Sequence, residues 1–176
     1  RALGMQWSLA TDSFKYSYQP SDNKPTRRSV LSNVASVFDP LGLISPLTLT
    51  GRSIIQQTCK SGLDWGDPLD SATAQTCKLW DVEMSKISTM FIPRCIYPDD
   101  FRPAHSEIHT FADASQNGYG ACTYVRSVSS DNRIHCSLLL GKSRIAPLKP
   151  ITIPRLELQA GLLAAKQSKT VLSDMG

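Results

Sequence analysis

The chain has 176 residues, 41% of them hydrophobic and 19% charged, a balance that builds a packed core and excludes a disordered chain. Its net charge of +4 and pI of about 8.9 admit a nucleic-acid partner without demanding one. No apolar run approaches the ~20 residues of a membrane span; the longest, LGLISPLTL at 41–49, is broken by Pro46.

Residues 2–18 hold short apolar runs around Thr11-Asp12 and predict a β-hairpin. The stretch 19–28, rich in Pro, Asp and Asn, follows as a loop. Val30, Leu31, Val34, Val37 and Phe38 then fit one helical face, with Ser29 as the expected cap. Asp39-Pro40 and Gly42 end that helix. A second helix is expected from Pro46 to about Lys60, apolar at Leu47, Ile54 and Ile55. After the turn-rich GLDWGDPLD, the spacing predicts a third over Leu69–Met90, with Leu79, Val82 and Ile87 as apolar positions. Three prolines in 91–105 predict an extended linker, and the change of composition there marks a domain boundary.

Beyond the linker the pattern is β. Glu107–Asp113 alternates, Asn117-Gly118 predicts a tight turn, and Tyr119–Arg126 is the returning strand. The loop SVSSDN leads to a third strand, Arg133–Lys142, with Ile134, Cys136, Leu138 and Leu140 on one face. A basic loop, KSRIAPLKPIT, precedes a helix beginning at Pro154. Trp7, Trp65 and Trp80 are expected as core anchors, and Tyr119 and Tyr124 as packing residues. Five cysteines without a C-x-x-C pair, and three dispersed histidines, argue against a disulfide framework or a zinc site. They read as reduced thiols of an intracellular protein. No basic-then-apolar leader opens the chain, and a start without Met reads as a piece of a longer polypeptide.

Two acids stand out by position. Asp113 closes a strand, and Glu157 stands in the first turn of the last helix, with Gly161 and Ala164 on its side of that helix. Small residues there let a helix lie close to a sheet and bring the carboxylate to the strand end. Two carboxylates brought together repel unless a cation lies between them or one is protonated. Hard oxygen donors suit Mg²⁺, which takes water and phosphate oxygens as its remaining ligands. Such a unit is half of a two-metal phosphodiester-cleaving site, with ions ~3.5–4 Å apart. Pattern alone leaves another reading open, because Asp before a turn bonds its own backbone and Glu near a helix start is favoured by the macrodipole.

ALGMQW at 2–7 resembles the hairpin that closes a reverse-transcriptase palm. RRSVLSNVASVFDPLGLISPLTL at 27–49, with LDW at 63–65, resembles the helical thumb and connection. TFADASQNGYGACTYV at 110–125 and KSRIAPLKPITIPRLELQAGLLAAK at 142–166 resemble the opening of a ribonuclease H domain. In this order, with FDPLG and IPRLEL as the most specific pair, the motifs resemble the polymerase-to-ribonuclease H junction of a BEL/Pao-type retrotransposon Pol polyprotein.

The resemblance implies an α+β chain: a helical thumb/connection segment, then a partial ribonuclease H-like mixed sheet of three antiparallel strands plus its first helix. It divides the chain into a palm hairpin and loop (1–28), thumb/connection (29–90), linker (91–105) and ribonuclease H-like part (106–176). Asp113 matches the first metal-binding carboxylate of that site and Glu157 the second, for two Mg²⁺ ions in a complete domain. The family's third carboxylate lies on a strand after this helix and its fourth later still; Asp174 follows the helix too closely to be the third. The implied partners are an RNA–DNA hybrid and the rest of the Pol polyprotein, with no membrane. Arg27, Arg28, Lys142, Arg144, Lys149 and Arg155 are candidate phosphate contacts, or else a solvated basic surface.

Two alternatives stand beside this. A Pao-type aspartic peptidase needs an Asp-Thr/Ser-Gly loop, whereas Asp113 is followed by Ala-Ser and Asp174 by Met-Gly. A non-catalytic nucleic-acid-binding remnant is the other, since the chain is expected to hold too few carboxylates to act alone.

Overall fold

The computed structural model describes residues 5–21 and 24–175. The elements run β1 (Met5–Ser8), β2 (Ser13–Tyr16), α1 (Arg27–Ala35), α2 (Ser45–Lys60), α3 (Ser71–Lys86), a 3₁₀ turn (Ile87–Thr89), β3 (Phe91–Pro93), β4 (Pro103–Ala114), β5 (Gly118–Ser129), β6 (Ile134–Ile145) and α4 (Ile153–Met175). The class is α+β, as expected. The chain divides into two compact units: residues up to Pro40 with Pro46–Arg94, and Leu41–Ser45 with Cys95 onward.

In the first unit, the expected hairpin forms where it is described and becomes a three-stranded sheet, because Phe91–Pro93 pairs with β2. The segment read as a linker therefore begins as a strand and ends inside β4. Thr26, not Ser29, caps α1. Its Oγ1 accepts from the Ser29 amide at 3.2 Å, while the Thr26 amide donates to Ser29 Oγ at 2.9 Å, a reciprocal capping box. The core gathers Tyr16, Ile54, Trp80, Met84 and Ile87, all nearly inaccessible. Gly51 is bare because a Cβ there would lie 2.6 Å from both the Trp80 ring and Val34. Trp80 Nε1 donates to Leu47 O at 2.8 Å, so the indole is both packed and satisfied.

Two polar pairs brace this core. Tyr16 donates to Asp39 at 2.8 Å and Tyr18 donates to Asp81. Burial, then the adjacent carboxylate, raises both phenols far above their ordinary range. On α3 the buried face is Cys77, Trp80 and Met84, continued by Ile87, while Leu79 and Val82 are 60% and 57% exposed. Of the expected apolar positions Ile87 is buried and Leu79 and Val82 are not, since two neighbouring apolar sets on this helix both satisfy helical spacing. Trp7 and Trp65 are likewise not core anchors. They are half exposed beneath the guanidinium groups of Arg94 and Arg27, at 5.2 and 4.1 Å.

The second unit is an antiparallel sheet, β4-β5-β6, with α4 packed across β4 and β5. Leu156, Ala160, Leu163, Gln167 and Val171 form the buried face of α4, against Ala121, Thr123, Val125 and Ser127 of β5. Part of that seam is polar: Ser168 donates to Thr110, which shares a hydrogen bond with Thr123, at 2.8 and 3.0 Å. The Gln167 amide is buried in the same seam with both its nitrogen and oxygen unpartnered. Residues 95–101 cover the far end of the sheet. There Tyr97 stacks on Phe101 and its hydroxyl meets Ser127 at 2.9 Å.

Three local features depart from the pattern. Thr123 pairs with Leu140 but Tyr124 with Leu138, so a bulge at Leu139 puts Leu140 on the α4 side and Leu138, Cys136 and Ile134 on the other. The apolar residues of β6 do not share one face. Gly118, expected within the β4–β5 turn, instead opens β5 after a connection of residues 115–117, and it is bare because a Cβ would lie 2.7 Å from Arg144 O of β6. And KSRI, read as loop, extends β6 to Ile145.

The remaining departure is the segment Leu41–Ser45. Gly141 N donates to Leu41 O at 2.8 Å and Ser143 Oγ to Ser45 O at 3.2 Å, which straps the outer edge of β6. Gly42 has φ of 71°, and a Cβ on it would lie 1.8 Å from Gly141 O. Both the backbone conformation and the space require glycine.

Gly42→Ala is expected to lower the stability of the second unit by roughly 2–4 kcal/mol, read as a fall in its denaturation midpoint. All five thiols are free, and burial pushes the Cys77 thiol up to about 11. Alkylation at pH 8 followed by mass spectrometry should therefore label exposed Cys95 and Cys136 and spare Cys77.

Candidate functional site

Asp113 is the penultimate residue of β4, opposite Gly120 of β5, which in turn lies opposite Ser143 of β6. Its side chain is exposed. Thr110 faces α4 through its bond to Ser168, and the ladder from Thr110 to Ala114 runs without a register shift. Strand alternation therefore turns Asp113 to the opposite face.

Glu157 lies one residue past the opening turn of α4, because the helix begins at Ile153. It too is exposed. Glu157 and Ser168 are eleven residues apart (168 − 157), about three full turns, so they share one flank of α4, the flank that meets β4. The helix runs antiparallel to β4, since Ser168 meets Thr110 while Leu172 and Met175 border Ile108 and Ser106. Rising ~16 Å from Ser168 back to Glu157, and ~10 Å from Thr110 on to Asp113, brings both acids to the same end of the unit. Gly161 does not make the close approach expected of it. A Cβ there would meet nothing within 4 Å, and Ala160 is the small residue pressed to the sheet. Asp174 stands at the other end of α4, ~26 Å along the axis from Glu157.

The basic candidates separate into two groups. Lys142 and Arg144 lie on β6 opposite Ala121 and Tyr119, and Arg155 lies in the opening turn of α4. All three are exposed, at the same end of the unit as Asp113 and Glu157. Lys149 is exposed on the connection between β6 and α4. Arg27, in the first unit, is engaged instead: it donates to Leu63 O at 3.2 Å and to Cys59 Sγ at 3.0 Å, over Trp65. The Arg28 side chain is exposed and its amide donates to Trp65 O.

Sequence reading passed over one charged cluster. Glu107 accepts from Arg126 at 3.2 Å and lies 3.3 and 3.5 Å from the imidazoles of His109 and His105. His109, then His105, hold the Glu107 carboxyl below the ordinary range, with Arg126 adding to the effect. The signal was the alternation in HSEIH, which puts all three on one face of β4. Among the described residues no group of three or more His, Cys, Asp or Glu is placed to hold a metal ion, and no helix is long and apolar enough to cross a membrane.

A family model described as the Pao retrotransposon-like RNaseH-like domain matches residues 26–176. No curated protein and no solved structure matches the chain.

The two groups of basic residues should respond differently to truncation. Arg27→Ala is expected to cost about 1–2 kcal/mol of stability, through its lost carbonyl, thiol and indole contacts, whereas Arg144→Ala stays within about 0.5 kcal/mol. Urea denaturation of the two variants checks this.

Proposed function

The chain belongs to the Pao retrotransposon-like RNaseH-like domain family, and from that premise we propose that its second unit contributes to hydrolysis of the RNA strand in an RNA–DNA hybrid, within a Pol polyprotein. Asp113 and Glu157 are its first two metal-binding carboxylates. The observation that carries this is the pairing of position with availability. Among the described residues, four acids of this unit (Asp99, Asp113, Glu157 and Asp174) accept no hydrogen bond and form no ion pair through their carboxylates. Of these, Asp113 and Glu157 share one end.

Carboxylate oxygens are the hard donors that Mg²⁺ takes, so the donor chemistry fits, although two acids are half of a two-ion set. When bound, the ions activate water and stabilise the leaving oxygen. What these residues do themselves is narrower. Asp113 stands on the outer face of the edge strand and Glu157 on the β4-side flank of α4, both at the same end of the unit. Lys142, Arg144 and Arg155 lie at that end too and supply positive charge for the phosphates of the hybrid. The reaction draws on further carboxylates besides these two.

The test is a Mn²⁺ titration of the isotopically labelled chain, read by NMR line broadening. Broadening is expected first at the amides around Asp113 and Glu157, and Asp113→Asn should abolish it at both. Broadening centred elsewhere, or unchanged in Asp113→Asn, overturns the assignment. In parallel, Lys142→Ala with Arg144→Ala should weaken hybrid binding about tenfold and flatten its salt dependence, measured by fluorescence anisotropy.

A further inference from the structure

Lys142 and Arg144 lie in the last part of β6, and neither side chain makes a hydrogen bond or an ion pair among the described residues. Their placement therefore rests on the backbone that carries them. The bulge at Leu139 interrupts the ladder just before this stretch, and a bulge disrupts pairing where it occurs. Residues 140–145 are thus held by what lies along their two edges.

The inner edge is β5. Lys142 pairs with Ala121 and Arg144 with Tyr119. The carbonyls of Lys142 and Arg144 turn toward Gly120 and Gly118, where a Cβ would lie 3.1 and 2.7 Å away. The outer edge is the Leu41–Ser45 strap, which belongs to the same compact unit as β6. It holds the Gly141 amide through Leu41 O and the Ser143 hydroxyl through Ser45 O. Gly141 and Ser143 alternate with Lys142 and Arg144, so each basic residue follows directly on a strap contact.

The strap is seated, not merely laid across the strand. Gly42 and Ile44 are buried. The contact is backbone against backbone from both sides: a Cβ on Gly42 would lie 1.8 Å from Gly141 O, and one on Gly141 would lie 2.8 Å from Gly42 O. A strand edge without such a neighbour has free N–H groups and opens at low cost.

We propose that the strap is a positioning element for phosphate binding, with Gly42 as its pivotal residue. Seated, it fixes residues 140–145 so that Lys142 and Arg144 project from one face about 6.6 Å apart along the strand. That spacing matches neighbouring phosphates on one nucleic-acid strand, which are the groups the pair would take. The proposal rests on the hybrid-binding function proposed for this unit and adds a dependence on a buried residue that the hybrid does not reach. Coupling of this kind is reciprocal: a seated strap favours the bound hybrid, and the bound hybrid favours a seated strap.

Fluorescence anisotropy with a labelled RNA–DNA hybrid tests this on the whole chain, at a temperature where far-UV circular dichroism shows each variant folded. Gly42→Ala should weaken binding about fivefold and lower the slope of log affinity against log salt. In a Lys142→Ala, Arg144→Ala background, Gly42→Ala should cost no further affinity. A general loss of folding would add its penalty in both backgrounds. A second measurement needs no variant. The Gly141 amide donates to Leu41 O and the Ser45 amide to Gly42 O, so their hydrogen exchange reports opening of the strap. Saturating hybrid should slow both about fivefold. A chain that binds the hybrid while these two amides exchange unchanged overturns the role of the strap. So does a Gly42→Ala penalty that persists in full without Lys142 and Arg144. A chain that does not bind the hybrid overturns the hybrid-binding function itself, and the role of the strap with it.

Discussion

β5 is hydrogen-bonded along both edges, to β4 and to β6, and pressed under α4 by Val125, Thr123 and Ser127, all at 0% exposure. Its pleat therefore dictates the face of every side chain in the second unit. A slip of one residue would carry Val125 into water and its polar neighbours under the helix, so the register is strongly specified. The consequences reach the candidate site. Thr123 holds Thr110, Thr110 holds Ser168, and from that single line of hydroxyls both the outward face of Asp113 and the β4-side flank of Glu157 follow. The two acids are placed by the ladder and the helical turn, not by contacts of their own.

The strands and helices of this unit are legible because each rests on local period. Alternation marks Glu107–Asp113, Asn117-Gly118 marks the neighbourhood of the turn although Gly118 itself opens β5, and Pro154 lies at a helix start. Asp113 and Glu157 are legible as positions for the same reason. What the sequence hides is the choice between faces. β4 reads Ser106, Ile108, Thr110 on one side and Glu107, His109, Phe111 on the other. Both sets mix polar with apolar, so nothing local reveals which one α4 covers. The bulge at Leu139 is hidden likewise, because three leucines in a row fit either register. In the first unit, Leu79 and Val82 compete with Trp80 and Met84 for the same helix, and the bare surface of Gly51, against which the Trp80 ring packs, favours the second set. The strap is the least legible of all. FDPLG reads as a helix stop, yet Gly42 is there because the backbone of Gly141, about a hundred residues later, occupies the space where a side chain would be.

The α4 seam is where packing and function pull apart. A helix held only for stability would bury an aliphatic stripe, and α4 does so at Leu156, Ala160 and Leu163. Toward its C-terminal half the seam turns to Gln167, Ser168, Thr110 and Thr123, with Val171 the remaining buried aliphatic residue. Hydroxyls satisfy one another there, but the Gln167 amide is buried without a partner, at a cost of about 1–3 kcal/mol. The N-terminal half, beside the two candidate carboxylates, is the firmly packed half. Glu157 rides on this aliphatic half of α4.

Charge is distributed in the same spirit. Asp12, Asp81, Asp100 and Asp131 each accept from a neighbouring side chain, and Glu107 sits among Arg126 and two imidazoles. These acids tie segments together, and the protein's own donors stabilise their charge. Asp113 and Glu157 have no such donors among the described residues, and both lie at the end of the unit that carries Lys142, Arg144 and Arg155. The positions of the two acids follow from the ladder and the helical turn, which set a strand residue and a helix residue at one end of the unit through the Thr110–Ser168 bond.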